Sequence, residues 1–330
     1  IRGMHSAAGI FTVRGGMTSH AAVVARGLGL PCIVSVQGLK INLRLKTLKS
    51  SDGRVFQEGD FITIDGTRGQ VSSGAADLSQ PDLSKSFISL MDWADEVREL
   101  KVKANADTPA DALVARGFKA DGIGLCRTEH MFFEKSRIML MQRMILAKDY
   151  RERSEEIAKL LPMQQKDFVE IFSIMRGLPV TIRLLDMPLH EFLTNSKNGL
   201  KELARELNIS ASEVIDRAKN LYEINPMLGK RGARSGLLLP EIYKMQAQAI
   251  FGAVASIFKM SGDVIVPEIM IPLVSATKEV EYIKDSIEVI ANTVRKDSGI
   301  ELSYKLGVMI ETPRAALISG ELAKLCSFLS

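Results

Sequence analysis

The residue set best suited to chemistry is a histidine placed after hydroxyl residues and a glycine turn, in Gly15-Gly16-Met17-Thr18-Ser19-His20-Ala21-Ala22-Val23-Val24-Ala25-Arg26. Either Thr18 or Ser19 can cap the helix that the alanine- and valine-rich run predicts. Free backbone N–H groups and the helix dipole at such a start favour an anion. An imidazole nitrogen there can accept a phosphoryl group whose oxygens the N–H groups hold. Spacing leaves two readings open: His20 as a phosphoryl carrier, or a capped helix with a surface histidine. A second set is spread wider. Arg127, Arg183, Asp186 and Glu311 all stand at the C-terminal ends of short apolar runs.

Those runs define the elements that would position them. Val102–Asn105, Gly122–Leu125, Val180–Leu185, Glu268–Leu273 and Leu306–Glu311 read as strands, and 137–150, 166–176, 240–260 and 277–297 as helices. Strand–helix alternation predicts a parallel sheet with helical crossovers. In a βα-barrel, charged residues at strand C-termini line one mouth; the pattern alone also fits a doubly wound sheet. Before residue 74 the chain is different. Gly9–Val13, Pro31–Val36 and Phe61–Asp65 read as short strands among glycines, residues 74–84 as a linker, and Phe87–Leu100 as an amphipathic helix carrying the only tryptophan, Trp93.

Composition narrows the class. The 330 residues are 46% apolar and 25% charged, with 43 basic against 39 acidic side chains. Such a chain buries its own core without disulfides. Its formal charge of +4 is too dilute for a nucleic-acid partner. The basic run Lys40–Lys49 reads as a solvated face. Cys32, Cys126 and Cys326 are far apart with no C-x-x-C pair, which points away from a disulfide scaffold or thiolate zinc site and toward a reducing cytoplasm. No apolar run reaches the ~18 residues of a membrane span.

The His20 block resembles the phosphohistidine signature shared by pyruvate phosphate dikinase, phosphoenolpyruvate (PEP) synthase and the first enzyme of the sugar phosphotransferase system. Met17 after Gly-Gly is similar to the dikinase form. Four further blocks follow in the dikinase order: Gly122–Phe133, Thr181–Leu193, Asn225–Arg234 and Met309–Ala316. Departures are Met187 in place of proline, Lys230 in place of histidine and Ala233 in place of cysteine. The resemblance spans about residues 9–326 and implies an α/β architecture in three parts. They are a truncated phosphohistidine (swivelling) domain at 1–73, a linker and helix at 74–100, and an incomplete (β/α)8 TIM-type barrel at 101–330. It implies His20 as the phosphoryl carrier, Arg127, Arg183 and Arg234 as substrate-binding arginines with Asp186 in support, and Glu311 as a Mg2+ ligand. Thr18 matches a threonine phosphorylated to regulate the plant enzymes, a candidate modification site at which we expect no such control here. His130 and His190 are given no catalytic role, and the three cysteines are read as packing.

The resemblance implies transfer between ATP, phosphate and pyruvate on one side and AMP, diphosphate and PEP on the other. The partners implied are pyruvate or PEP, ATP or AMP through an N-terminal domain, and a second copy in a homodimer. Neither chain end reads as a natural terminus. The family's Gly-Thr-Asn-Asp segment after its seventh barrel strand, with the second metal carboxylate, and the proton-donating cysteine of its eighth strand both fall beyond Ser330. This chain alone is therefore expected to be inactive in the whole reaction, and an open barrel to be poorly stable. The alternatives are PEP synthase, opposed by Met17 and the 126–133 block, a PEP-protein phosphotransferase of the sugar phosphotransferase system, opposed by 182–193, and a non-enzymatic remnant.

Overall fold

A computed structural model describes residues 7–17, 19, 21–22, 25, 30–76, 85–193, 196–207, 209–221, 225 and 228–330. His20 and Thr18 lie outside the described residues, as does most of the helix expected after them. The chain divides into two compact units, Ile1–Val97 and Arg98–Ser330.

The first unit is built from short strands. β1 (Ile10–Phe11) pairs in parallel with β2 (Cys32–Ile33). β3 (Lys40–Asn42), β4 (Thr47–Lys49) and β5 (Val55–Gln57) form an antiparallel meander. The β3–β4 turn is held locally: Asn42 Oδ1 accepts from the N–H groups of Arg44 and Leu45, both at 3.1 Å. Most of the basic run sits on this meander and is exposed, as expected of a solvated face. β6 (Ile62–Asp65) and β7 (Gln70–Ser73) form a hairpin whose turn Asp65 closes by accepting from Thr67 and Arg68 N–H at 3.0 Å. Helix α1 (Lys85–Val97) begins and ends slightly earlier than its periodicity predicts.

The second unit contains a six-stranded, wholly parallel sheet. Its strands run in chain order: β8 (Ala104–Asn105), β9 (Ile123–Arg127), β10 (Val180–Arg183), β11 (Glu268–Ile271), β12 (Lys305–Val308) and β13 (Phe328–Leu329). Among the described residues β13 is the sixth strand of this sheet. β10 and β11 are buried at every position, so both faces are covered and their sequences read as continuous apolar runs.

Crossover helices carry clear start and stop signals. α2 (Pro109–Gly117) opens with a capping box between Thr108 and Asp111 and with proline at its first turn. After β9 comes a 3-10 turn (Thr128–Phe132), then α3 (Lys135–Leu146) and α4 (Tyr150–Ile174). The expected 166–176 helix is only the end of α4, which Asp149 caps 2.9 Å from Glu152 N–H and which runs through Pro162. Buried Leu160, Phe168, Ile171 and Phe172 supply the packing that carries it past the proline. α5 (Lys197–Leu207) and α6 (Ala211–Leu221) close a small separate core around Leu146, Leu203 and Val214. α7 (Ala233–Leu238) leads into the buried helix α8 (Pro240–Ser261). α9 (Thr277–Ser298), like α8, ends on a left-handed glycine, Gly299 after Gly262. The short α10 (Pro313–Leu317) and α11 (Ser319–Ala323) follow β12.

Candidate active site at the strand C-termini

Parallel register puts the two strand-end arginines side by side, because Arg127 of β9 is the pairing partner of Arg183 of β10. What holds each guanidinium is a carboxylate that strand-end reasoning did not assign to it. Asp107, two residues beyond β8, accepts from Arg127 N–H at 2.7 Å and from Arg127 Nη1 at 3.3 Å. The same Oδ2 meets His130 Nδ1 at 2.7 Å. Burial alone would raise the Asp107 carboxyl, but the bonds and charges of His130 and Arg127 outweigh it and hold it below its usual range.

Arg183 is nearly buried between two acids. Its Nη2 donates to Glu129 Oε1, and its Nη1 lies 3.1 Å from Asp186 Oδ2. The 3-10 turn after β9 turns Glu129 inward and leaves His130 exposed, and Thr128 Oγ1 staples that turn to Arg183 O at 3.0 Å. Asp186 is fully buried. Helix α8 fixes the backbone just before it: Gln246 accepts from Leu185 N–H at 2.8 Å and Tyr243 Oη donates to Leu185 O at 2.9 Å. Arg183 Nε and Glu129 Oε2 are buried without a hydrogen-bond partner among the described residues. Orphan polar atoms beside a cluster of charges mark where a ligand or ordered water completes the set.

Arg231 completes this layer. Its Nη2 reaches Asp186 Oδ2 at 2.6 Å and its Nε reaches Asp186 O at 3.0 Å. Burial pulls its pKa down, but Asp186, with Glu311 and Glu191 more distantly, raises it further. Gly232 makes this approach possible. At φ 55° a Cβ there would lie 2.6 Å from Leu273 Cβ and 2.9 Å from Asp186 Oδ1. Arg234, the arginine the sequence singles out in this block, donates to Gly229 O at 3.0 Å. Sequence reasoning passed over Asp107, Glu129 and Arg231. Asp107 obeys the same strand-end rule that selected Arg127, so a signal for it existed. For Arg231 over Arg234, spacing offers none.

Glu311 follows β12. Its Oε1 accepts from Leu273 N–H at 2.7 Å, an N–H aimed there by the left-handed backbone of Leu273 at φ 54°. Its other oxygen accepts no hydrogen bond among the described residues. Glu311 also bears electrostatically on Arg231. Among the described residues no three His, Cys, Asp or Glu groups stand together as a cage for a metal ion. One oriented carboxylate fits Mg2+, which is held by one or two carboxylates and completes its shell with substrate oxygens and water. Cys126 is buried, which pushes its thiol well up and suits a packing role.

A parallel α/β unit gathers arginines and a carboxylate at its strand ends, and the chain belongs to the PEP-utilising enzymes. Residues 81–330 match their PEP-binding domain and residues 1–69 their mobile domain. The chain is 52% identical over 330 residues to a pyruvate, phosphate dikinase of Rhizobium meliloti (strain 1021), covering 100% of this chain and 37% of the relative. It is 46% identical over 330 residues to that of Clostridium symbiosum (100% and 38%) and 49% over 332 residues to pyruvate, phosphate dikinase 1, chloroplastic, of Arabidopsis thaliana (100% and 34%). It therefore spans little more than a third of the length of these curated relatives.

Proposed function

We propose that this chain is the phosphohistidine and PEP-binding portion of a pyruvate, phosphate dikinase. Such an enzyme interconverts ATP, phosphate and pyruvate with AMP, diphosphate and PEP. The observation that carries the reading is the grouping of Arg127 and Arg183 at strand ends with Arg231 from the loop before α7, each held by an acid, in a chain whose full length is about half identical to enzymes of that name. In this reading residues 1–73 form the phosphohistidine domain, 74–100 the linker and helix, and 101–330 the part of a (β/α)8 barrel that binds PEP. The sequential order of the parallel strands supports a barrel.

Arg127 and Arg183 bind the phosphoryl and carboxylate groups of PEP, for which a planar, permanently charged fork is suited. In the pyruvate-forming direction a ring nitrogen of His20 takes the phosphoryl group. A P–N bond forms, the P–O bond to PEP breaks, and its electron pair stays on the enolate oxygen. The guanidinium groups stabilise that charge in place, without reorganisation. The enolate carbon then takes a proton to give pyruvate. Glu311 would hold Mg2+, which would supply Lewis-acid stabilisation of the substrate oxygens. Arg234 completes the substrate-binding set from the first turn of α7. A homodimer and a cytoplasmic setting belong to the same reading. Among the described residues no helix is long and apolar enough to cross a membrane.

The test is an assay of a full-length protein carrying this chain, given PEP and AMP with either diphosphate or phosphate alone, measuring ATP and pyruvate. Formation that requires diphosphate and is lost in His20→Ala is expected. Formation with phosphate alone would assign the synthase reaction instead, and no formation with either would overturn the proposal.

A further inference from the structure

We propose that Asp107 and His130 form a positioning pair that sets how Arg127 is presented to an anionic substrate, His130 keeping the Asp107 carboxylate from closing on the guanidinium. The inference rests on the reading of Arg127 as a substrate-binding arginine. Its basis is the division of one carboxylate among three donors. Asp107 Oδ1 is committed to Arg127 N–H at 2.7 Å, which fixes the end of β9. Oδ2 is shared unequally, with His130 Nδ1 at 2.7 Å and Arg127 Nη1 at 3.3 Å. The nearer partner satisfies most of the charge and leaves Arg127 a weak, single-pronged contact. The rest of its fork stays available to a ligand.

The histidine is held for this task. Its ring lies tilted against Phe133 at 6.3 Å between centroids, and Phe133 stacks on Phe192 at 5.5 Å. Arg183 has no comparable arrangement: two acids grip it from both sides. If His130 were absent, the mostly buried Asp107 carboxylate would have Arg127 as its one charged partner. It would close to the two-pronged geometry that carboxylate and guanidinium prefer. A substrate would then have to break that pair before binding.

The experiment measures PEP binding to the whole chain by calorimetry with Mg2+ present, in four variants. His130→Ala should weaken binding about tenfold, the loss that ~1.4 kcal/mol represents. Asp107→Asn keeps an oxygen for Arg127 N–H but removes the competing charge. In that background the same His130→Ala change should cost less than about twofold, a non-additivity only direct coupling gives. Equal losses in both backgrounds, or none in either, would overturn the proposal. Arg127→Met is the control on the underlying reading. If it binds PEP normally, or the unaltered chain binds none, that reading fails, and the proposal with it. If Arg127→Met loses binding and His130→Ala does not, only the pair is wrong. A ligand-free readout is the NMR signal of the Arg127 side-chain Nε–H. It should shift in His130→Ala as Asp107 closes, and no shift would overturn the proposal.

Discussion

Asp186 carries the largest electrostatic load of any side chain in the cluster. It is fully buried and is the counter-charge to both Arg183 and Arg231. Removing one partner from a buried charge set leaves the others uncompensated, which costs about 3–5 kcal/mol. Asp186→Ala should therefore lower the urea midpoint strongly as well as weaken PEP binding; a variant of normal stability would contradict the burial argument. His130 makes a prediction about pH. The bond from Asp107 and that carboxylate's charge, with Glu129 adding to them, raise its pKa against the opposing effects of burial and Arg127. The folded value thus lies above the ~6.5 of an unfolded chain. The stabilisation is present in full below that value and fades as pH rises through the folded one. An NMR titration of the ring should show the raised pKa, and Asp107→Asn should return it toward normal. The carboxyl of Asp107 is shifted down, so its own contribution is present above about pH 3.9 and is lost only in acid below it.

Elements position the site through their junctions. β9 and β10 set the two arginines in register, and α8 pins the backbone before Asp186 through Tyr243 and Gln246. The loop before α7 reaches Asp186 only because Gly232 has no Cβ. Gly232→Ala should push Arg231 away from Asp186, weakening PEP binding tenfold or more while costing about 1–3 kcal/mol of stability; calorimetry and denaturant melts separate the two. Phe251, with no exposed surface, sits on α8 within the main core, so Phe251→Ala should cost about 3–5 kcal/mol. In the sequence, the strands that carry the site were legible to within a residue or two at most ends. Each is a short apolar run ending in a charge. Helix ends were harder. Residues 137–150 look like one helix, but the chain breaks after Leu146 and restarts at Tyr150, where Asp149 provides the cap. Pro162 is a helix breaker by propensity, and only the buried face of α4 overrules it.

At the scale of the whole molecule, the chain divides into two compact units. The main core is drawn entirely from the second, from Ala106 to Leu322. A chain of residues 98–330 should therefore melt cooperatively and bind PEP with the affinity of the longer chain; a non-cooperative melt by circular dichroism would contradict this. Family membership was readable in order, since five signature blocks are local strings and local strings survive without a fold. The strand-end positions of Arg127, Arg183 and Glu311 were readable too, because a charge after an apolar run marks a strand's end wherever the strand lies. Tertiary structure alone decided the partners. Asp107 meets His130 across 23 positions, Arg183 meets Glu129 across 54, and Arg231 rather than Arg234 sits on Asp186 across 45. Such pairings depend on the register of parallel strands and on the one glycine that lets a distant loop approach. Neither leaves a period or a spacing in the sequence, because crossovers separate neighbours in the sheet by tens of residues of unrelated chain.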